Sequence, residues 1–360
     1  MTVADYPSLG EAGRAVKRAV VGRWRGKPRV PQLRVGERRG GEPPTVWMIC
    51  PDWDHPAGGI RKQYRAVDVL NGGGIPAAIV HERPGFECTW FEHSTRIAAS
   101  GEVMVARGDV IVVPEIYGPA ILDLPAGVPQ IIWNQNAYVT LDSLVASGPA
   151  ASAPYVENPD LAAVVVVSDD SAEVLSYAFP GTPIRRIHHG IDSALHHPAA
   201  MPAGKRISYM PRRRADDAAQ VLALLESRGA LAGWEVVRIE HCSEAEVADL
   251  MRSSAIFLSF SEREGFGLPP CEALACGCLV VGYDGFAGRE FFRPPFAEPV
   301  EDGDVVAFAR AVERVMRRVE EQPAEAAAAS RAGAQFIMDR YSPEVERKDL
   351  IETFAPLFQP

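Results

Sequence analysis

Residues 254–285 read Ser-Ala-Ile-Phe-Leu-Ser-Phe-Ser-Glu-Arg-Glu-Gly-Phe-Gly-Leu-Pro-Pro-Cys-Glu-Ala-Leu-Ala-Cys-Gly-Cys-Leu-Val-Val-Gly-Tyr-Asp-Gly. The apolar run 255–260 is typical of a strand in a parallel sheet that is covered on both faces. Pro269 and Pro270 predict the start of a helix, because proline is tolerated in the first helical turn, and Gly277 predicts its end. Residues 278–281 form the next predicted strand, so the stretch predicts a strand–loop–helix–strand unit.

The loop between this strand and helix is rich in glycine and lies between two carboxylates. Gly265 and Gly267 leave the backbone N–H groups around Phe266 unshielded. Backbone N–H groups at the start of a helix bind anions, and Glu264 and Glu272 are placed to hold hydroxyl groups beside such an anion. Phosphate next to a polyol in one loop indicates a nucleotide-sugar ligand. The alternative interpretation is an ordinary βαβ crossover with a glycine turn.

The segment from Glu264 to Glu272, followed by Ala-Leu-Ala-Cys-Gly277, resembles the donor-site motif of the retaining GT-B glycosyltransferases of the glycosyl transferases group 1 type. That motif has two glutamates separated by seven residues, with Gly-Phe-Gly-Leu-Pro between them. The resemblance covers residues 45–358. It implies an α/β protein with the GT-B fold: two Rossmann-like, doubly wound parallel-sheet domains with an interdomain cleft.

The activity implied by the resemblance is transfer of a sugar from a nucleoside diphosphate sugar to an acceptor hydroxyl with retention of the anomeric configuration, in polysaccharide or glycoconjugate biosynthesis. Glu264 would orient the donor sugar and is a predicted catalytic residue, and Glu272 would accept the ribose hydroxyls. Backbone N–H groups of the loop would stabilise the negative charge that builds on the diphosphate. The donor-binding residues of the loop are Gly265, Phe266, Gly267 and Leu268.

An arginine cluster follows the predicted strand 206–210. In the family an arginine and a lysine clamp the donor diphosphate, and Arg212 best matches the arginine. The lysine position falls near Asp216 or Asp217, so the lysine is missing, and Arg213 or Arg214 is expected to replace it because guanidinium groups bind phosphate in a bidentate fork. Which arginine binds the diphosphate stays open, and a solvated charge cluster is the alternative.

A glycine pair follows the first predicted strand, 45–50. The segment Pro56-Ala-Gly-Gly-Ile-Arg lacks the Gly-x-Gly-x-x-Gly pattern of dinucleotide-binding proteins, which disfavours a dehydrogenase. By resemblance, Gly59 corresponds to a glycine whose backbone approaches the donor phosphate or the acceptor. The alternative is a plain strand-to-helix turn.

The segment after the predicted strand 130–133 departs from the family. Many relatives have a histidine there, whereas this chain has Asn134, Gln135 and Asn136. Amides hydrogen-bond a sugar but do not act as bases at neutral pH, which puts a histidine-based mechanism in doubt. Asn136 is a predicted catalytic residue, and Asn134 and Gln135 are acceptor-side candidates.

The length of 360 residues suits two domains. Alternating predicted strands and helices indicate parallel sheets. We expect a basic N-terminal extension at 1–44, an acceptor domain at 45–187 and a donor domain at 188–340. The C-terminal helix, within 341–360, is expected to return to the acceptor domain.

Composition bears on location and partners. The net charge of −10 argues against nucleic-acid binding, and no apolar run is long enough to predict a membrane span. Residues 1–10 lack the pattern of a signal peptide, so a cytoplasmic location is expected. The basic, amphipathic segment 11–26 leaves two alternatives open: peripheral contact with the inner face of the membrane, or a solvated or partner-packed helix.

No metal site or cofactor is predicted besides the donor substrate. Adjacent histidines, as at 188–189 and 196–197, point apart on a helix or a strand. A non-catalytic nucleotide-sugar-binding or assembly subunit is the alternative function, and a hydrolase or phosphorylase is a weaker third. The donor base and sugar stay open, as does the acceptor, whether carbohydrate, lipid-linked or small-molecule.

Overall fold

The computed structural model describes residues 29–38, 40–199, 204–211 and 213–358. Most of the predicted N-terminal extension, including 11–26, and Arg212 lie outside the described residues. The chain divides into two compact units. The first contains the described residues up to Gly190 together with those from Pro343 onward, and the second is Ile191–Ser342.

The first unit contains a seven-stranded sheet in which all pairs are parallel. The described part of this unit has nine strands: β1 (Arg34–Val35), β2 (Val46–Ile49), β3 (Ala77–His81), β4 (Ile97–Ala99), β5 (Met104–Val105), β6 (Val110–Pro114), β7 (Gln130–Asn134), β8 (Leu161–Val166) and β9 (Ile184–Arg186). The large sheet has the order β4-β3-β2-β6-β7-β8-β9, and β1 pairs with β5 separately.

The second unit contains a five-stranded, all-parallel sheet. Its strands are β10 (Gly204–Tyr209), β11 (Glu235–Arg238), β12 (Ser254–Glu264), β13 (Leu279–Phe286) and β14 (Ala297–Pro299), in the order β11-β10-β12-β13-β14. Parallel neighbours require crossover connections, which the helices supply. Both units are therefore Rossmann-like.

Most of the helices connect strands, and the last three follow the final strand. In chain order they are α1 (Gly58–Gly72), α2 (Ala137–Ser147), α3 (Ala153–Val156), α4 (Asp169–Ala178), α5 (Ala215–Ser227), α6 (Glu244–Arg252), α7 (Leu268–Ala275), α8 (Val305–Glu321), α9 (Pro323–Arg340) and α10 (Pro343–Phe354). Side-chain caps fix several of their starts. Ser243, for example, forms a reciprocal capping box with Glu246 at the start of α6.

The core of the first unit lies on both faces of its sheet. Alternate residues of a strand point to opposite faces, so Val46 and Met48 of β2 belong to one apolar cluster while Trp47 and Ile49 belong to another. Leu350, on the C-terminal helix α10, is in the same cluster as Val46. The C-terminal helix therefore contributes to the core of the first unit.

The described residues include no helix that is both long enough and apolar enough to cross a membrane. All six cysteines are free thiols, and only Cys242 is not buried.

Candidate functional site

The loop after β12 is held by a buried aromatic side chain. Phe266 is 3% exposed, and its ring lies 5.5 Å from that of Phe291 and 5.2 Å from that of Tyr341. Gly267 caps α7 with φ of 93°, in the left-handed region that glycine adopts without strain. The side chain of Phe266 therefore anchors the loop, and only its backbone is left to face a ligand.

The start of α7 offers fewer N–H groups than a typical helix. The first helical residue is Leu268, and the next two are Pro269 and Pro270, which have no backbone N–H. The N–H of Cys271 already donates to the carbonyl of Gly267. Among the first three helical residues, Leu268 is thus the one that has a backbone N–H, and the role of the N–H groups from Gly265 to Leu268 toward a diphosphate stays a prediction.

Glu264 lies at the end of β12 and is paired with an arginine. Its Oε1 is 3.1 Å from Nε of Arg213, with side-chain exposures of 22% and 45% respectively. The carboxylate and the guanidinium thus lie side by side, both within reach of solvent. The structure brings together two residues that the sequence analysis placed in the same site from separate segments.

Glu272 has a different environment. It lies in α7, where every residue from Pro270 to Ala275 is buried, and is itself 7% exposed. Burial and, less strongly, the charge of Glu272 raise the pKa of the Cys276 thiol to about 12. The predicted contact of Glu272 with the ribose stays a prediction.

The three arginines of the cluster differ. Arg212 lies outside the described residues. Arg214 precedes α5 with φ of 43°, and its Nη2 is 2.6 Å from Oδ2 of Asp302. The same guanidinium lies 3.8 Å from Glu262 and 3.5 Å from Asp217. Because three carboxylates surround Arg214, Arg213 is the better placed of the two described arginines to bind phosphate.

In the first unit, Gly59 and Gln135 lie in contact. Gly59 is the second residue of α1, and a Cβ added to it would lie 3.0 Å from Nε2 of Gln135. A side chain at position 59 would therefore displace the amide. The sequence analysis named both residues without predicting that they meet.

Asn134 and Asn136 already have structural partners. Asn134 is fully buried, and its amide donates to the hydroxyls of Thr140, at 2.8 Å, and Tyr155, at 3.1 Å. Asn136 is the N-cap of α2, where its Oδ1 accepts the N–H of Tyr138 at 3.0 Å. Their proposed roles toward an acceptor stay predictions.

Sequence reasoning missed a buried carboxyl next to this segment. Glu115 directly follows β6 and is 4% exposed. Its Oε1 accepts the backbone N–H of Asn136 at 3.0 Å. Burial raises the pKa of Glu115 to about 7, although hydrogen bonds from backbone N–H groups oppose the rise. A charged residue immediately after the apolar run Val-Ile-Val-Val-Pro was the signal available in the sequence.

A second polar network ties together the ends of β2 and β3. Nδ1 of the buried His81 is 2.9 Å from Oδ1 of Asp52, and its Nε2 is 2.6 Å from the hydroxyl of Tyr64. Asp52 also accepts the backbone N–H groups of Glu82 and Arg83. These bonds fix the loop that leads from β2 to Gly58 at the start of α1.

Across the described part of the chain, no group of three or more histidine, cysteine, aspartate or glutamate side chains has an arrangement suited to a metal ion.

Comparison with known proteins shows which family part of the second unit is similar to. Residues 225–332, which contain the Glu264–Glu272 motif, match the family described as "Glycosyl transferases group 1". A curated relative, an alpha-1,6-glucosyltransferase of Actinobacillus pleuropneumoniae serotype 7, is 26% identical over 222 residues. That match covers 59% of this chain and 64% of the relative.

Solved structures extend the likeness over both units. Sucrose-phosphate synthase from Thermosynechococcus elongatus has a TM-score of 0.66 at 16% identity, covering 88% of this chain and 99% of that one. HepE from Anabaena, solved with UDP and glucose, has a TM-score of 0.63 at 12% identity, covering 87% and 99%. These likenesses confirm the predicted fold: the chain has the GT-B fold, and its residues 225–332 match the family described as glycosyl transferases group 1.

Proposed function

We propose that this protein is a glycosyltransferase that moves a sugar from a nucleoside diphosphate sugar to an acceptor hydroxyl with retention of configuration. The contact between Arg213 and Glu264 carries the proposal. In a nucleotide sugar the phosphate and the sugar ring are joined directly, so a site for it needs a phosphate-binding cation beside a hydroxyl-binding carboxylate. The two side chains meet that requirement within one unit.

In the proposed mechanism, the protein stabilises the negative charge that develops on the leaving group. As the bond between the anomeric carbon and the diphosphate breaks, negative charge builds on the leaving diphosphate. Arg213 and the N–H of Leu268 would stabilise that charge, because preorganised donors act most strongly where charge develops. Glu264 would hold hydroxyls of the donor sugar, and Glu272 those of the ribose. The proposal includes no metal ion, so EDTA should leave turnover unchanged.

The names of similar proteins support the class of substrate. HepE is described in complex with UDP and glucose, and the curated relative is a glucosyltransferase. We therefore propose a hexose as the transferred sugar, and polysaccharide or glycoconjugate synthesis at the cytoplasmic side as the setting. Contact of residues 11–26 with a membrane stays a prediction on residues outside the described part of the chain.

A non-catalytic nucleotide-sugar-binding subunit is the second candidate. The hydrogen bonds of Asn134 and Asn136 favour this candidate. The amide of Asn134 and the Oδ1 of Asn136 already have hydrogen-bond partners within the first unit. If these residues have only structural roles, Gln135 is the one predicted acceptor-side residue that is left in the described part of the first unit.

Turnover separates the two candidates. A thermal-shift panel of UDP, GDP, ADP, dTDP and their sugars first identifies the donor, because a ligand of the native state raises its melting temperature. Release of the nucleoside diphosphate is then measured for wild type, for Glu264→Gln and for a matched control, Glu301→Gln, at an exposed position of the same unit.

The transferase proposal expects turnover in wild type and in the control, a loss of at least 100-fold in Glu264→Gln, and a product with the anomeric configuration of the donor by NMR. Donor binding with negligible turnover in all three proteins would establish the binding subunit instead. Turnover without an acceptor, with water or phosphate taking the sugar, would indicate a hydrolase or phosphorylase.

A further inference from the structure

Glu115 lies between the carboxyl ends of two adjacent strands of the first unit. It follows Pro114, the last residue of β6, and Pro114 pairs with Trp133 of β7. The segment that it contacts, Gln135 and Asn136, lies just beyond the end of β7. In open parallel sheets, ligands bind outside the carboxyl ends of the strands, so Glu115 is on the functional edge of this sheet.

The two oxygens of Glu115 are used unequally. Oε1 accepts the N–H of Asn136 at 3.0 Å, and the backbone N–H groups of Glu115 itself and of Gln135 also stabilise the charged carboxylate. Oε2 is buried and has no hydrogen-bond partner among the described residues. Buried polar groups are almost always hydrogen-bonded, and each observed bond favours the ionised form. Glu115 is thus a buried carboxylate whose hydrogen bonds run to the backbone, Asn136 included.

Those two residues connect Glu115 to the predicted site. The Gln135 side chain lies against Gly59, and Asn136 caps α2. A change at the carboxyl would therefore act on the loop through its peptide N–H groups, without any direct contact between Glu115 and a substrate.

We propose that Glu115 is a positioning residue whose ionised carboxylate holds the Gln135–Asn136 backbone and so sets the acceptor side of the site. The role in transfer rests on the proposed function, whereas the hold on the backbone does not. A protonated carboxyl has one oxygen occupied by hydrogen and attracts N–H donors less strongly. Protonation of Glu115 would therefore loosen the segment and lower transfer as the pH falls through the neutral range.

Few other titratable groups face Glu115 from the elements packed against it. Tyr155 on α3 is close enough for the charge of Glu115 to affect it, and burial raises the pKa of its hydroxyl, so it stays neutral. On α2, the hydroxyl of Tyr138 donates to Asp170 on α4, at 3.3 Å, and Asp142 is exposed. Tyr117, in the same 3-10 helix as Glu115, also has its pKa raised by burial. A pH effect near neutrality on the Gln135 and Asn136 amides is therefore assigned to Glu115.

Hydrogen exchange tests the hold on the backbone without any need for activity. Exchange of the Gln135 and Asn136 amides is followed from pH 6 to 8.5 and corrected for intrinsic rates, in wild type, Glu115→Gln and the exposed control Glu102→Gln. We expect protection in wild type and in the control to rise about tenfold as the carboxyl ionises, and to stay flat in Glu115→Gln. The wild-type series decides the matter even if the variant fails to fold: constant protection across this range overturns the proposal.

Kinetics test the consequence for transfer. We expect the kcat/KM of wild type for the acceptor to fall about tenfold between pH 8 and pH 6 while the KM for the donor is unchanged, and the pH dependence to disappear in Glu115→Gln. A merely structural role would lower activity at every pH alike, and that outcome overturns the positioning role. Absence of turnover in wild type would contradict the proposed function alone, since the exchange experiment stands without it.

Discussion

Replacement of Glu346 by glutamine should destabilise the first unit more than other single changes of charge. Glu346 lies on α10 and is 3% exposed. Its Oε1 is 3.2 Å from Nζ of the buried Lys62, and its Oε2 is 2.9 Å from Nε of Arg65. Lys62 also donates to the carbonyl of Gly190. The cluster joins α1, α10 and the segment that precedes Ile191.

The magnitude follows from the charge that would be left behind. Glutamine keeps the shape of Glu346 but leaves the ammonium of Lys62 buried without a counter-charge. Removing one partner of a buried ion pair costs about 3–5 kcal/mol. Arg65, with its side chain 35% exposed, stays hydrated and adds little. We therefore expect a loss of about 3 kcal/mol in the free energy of unfolding of the first unit.

The pKa of Glu346 supports this loss in the free energy of unfolding. Burial alone would raise the pKa, but the charge of Lys62, with smaller contributions from His189 and Arg65, holds it at about 2 against a usual 4.5. A depression of this size corresponds to about 3 kcal/mol of stability, present above pH 4.5 and lost as the pH falls toward 2.

Urea unfolding followed by tryptophan fluorescence measures the effect, because Trp47 and Trp133 are buried in the sheet of the first unit. The two units need not unfold together, so hydrogen exchange of β2 identifies the transition that belongs to the first. Glu352→Gln, an exposed change on the same helix, is the control and should cost at most about 0.5 kcal/mol. A loss below about 1 kcal/mol in Glu346→Gln would refute the reasoning.

A double variant and a pH series sharpen the test. Lys62→Met with Glu346→Gln should recover at least half of the loss, because no buried charge is then left unpaired. Burial lowers the pKa of His189 to about 4 from 6.5, so wild type should also lose stability as the pH falls from 6.5 to 4. That part of the acid sensitivity should persist in Glu346→Gln.

Two further predictions concern the second unit. A Cβ at Gly282 would lie 2.3 Å from the carbonyl oxygen of Ser259, so Gly282→Ala should cost about 2–3 kcal/mol in urea unfolding. Gly303→Ala, at a left-handed position with no described atom within 4 Å, should cost only about 1 kcal/mol. Equal losses of stability in the two variants would contradict a steric clash at position 282. Arg213→Ala should weaken binding of the identified nucleoside diphosphate about tenfold in titration calorimetry with the melting temperature unchanged. Arg214→Ala should lower the melting temperature by at least 2 °C, since its guanidinium joins three carboxylates. If Arg214→Ala weakened nucleotide binding and Arg213→Ala lowered the melting temperature instead, Arg214 would be the phosphate-binding arginine and Arg213 the structural one.

Local pattern was enough to predict most of the fold. The predicted strands 45–50, 130–133 and 206–210 each match a strand of the structure to within two residues at either end, because each has a local apolar run. The strands β4, β9 and β14 were missed. Each has three residues at the edge of its sheet, too few for a periodic signal, so they form by pairing with a neighbour rather than by local preference.

In the candidate site, too, residues that are close in the sequence were predictable, whereas contacts between distant residues were not. Glu264 and Glu272 share one continuous motif, so their chemistry was readable from the sequence. Glu115 and Asn136 are 21 residues apart, and Lys62 and Glu346 are 284 apart. Such contacts depend on which strands are neighbours and on where the last helix packs, which a single sequence does not specify.

The double proline at the start of α7 bears on the role proposed for the arginine cluster. Pro269 and Pro270 have no N–H to offer an anion at the helix start, so under the proposed function more of the charge on a bound diphosphate would be balanced by side chains. Among the described residues, Arg213 is the cation that lies against Glu264 and is not surrounded by other carboxylates in the way Arg214 is. Under the proposed function, the N–H of Leu268 and the guanidinium of Arg213 would share the charge of a bound diphosphate, so restoring an N–H with Pro270→Ala should offset part of the affinity lost in Arg213→Ala.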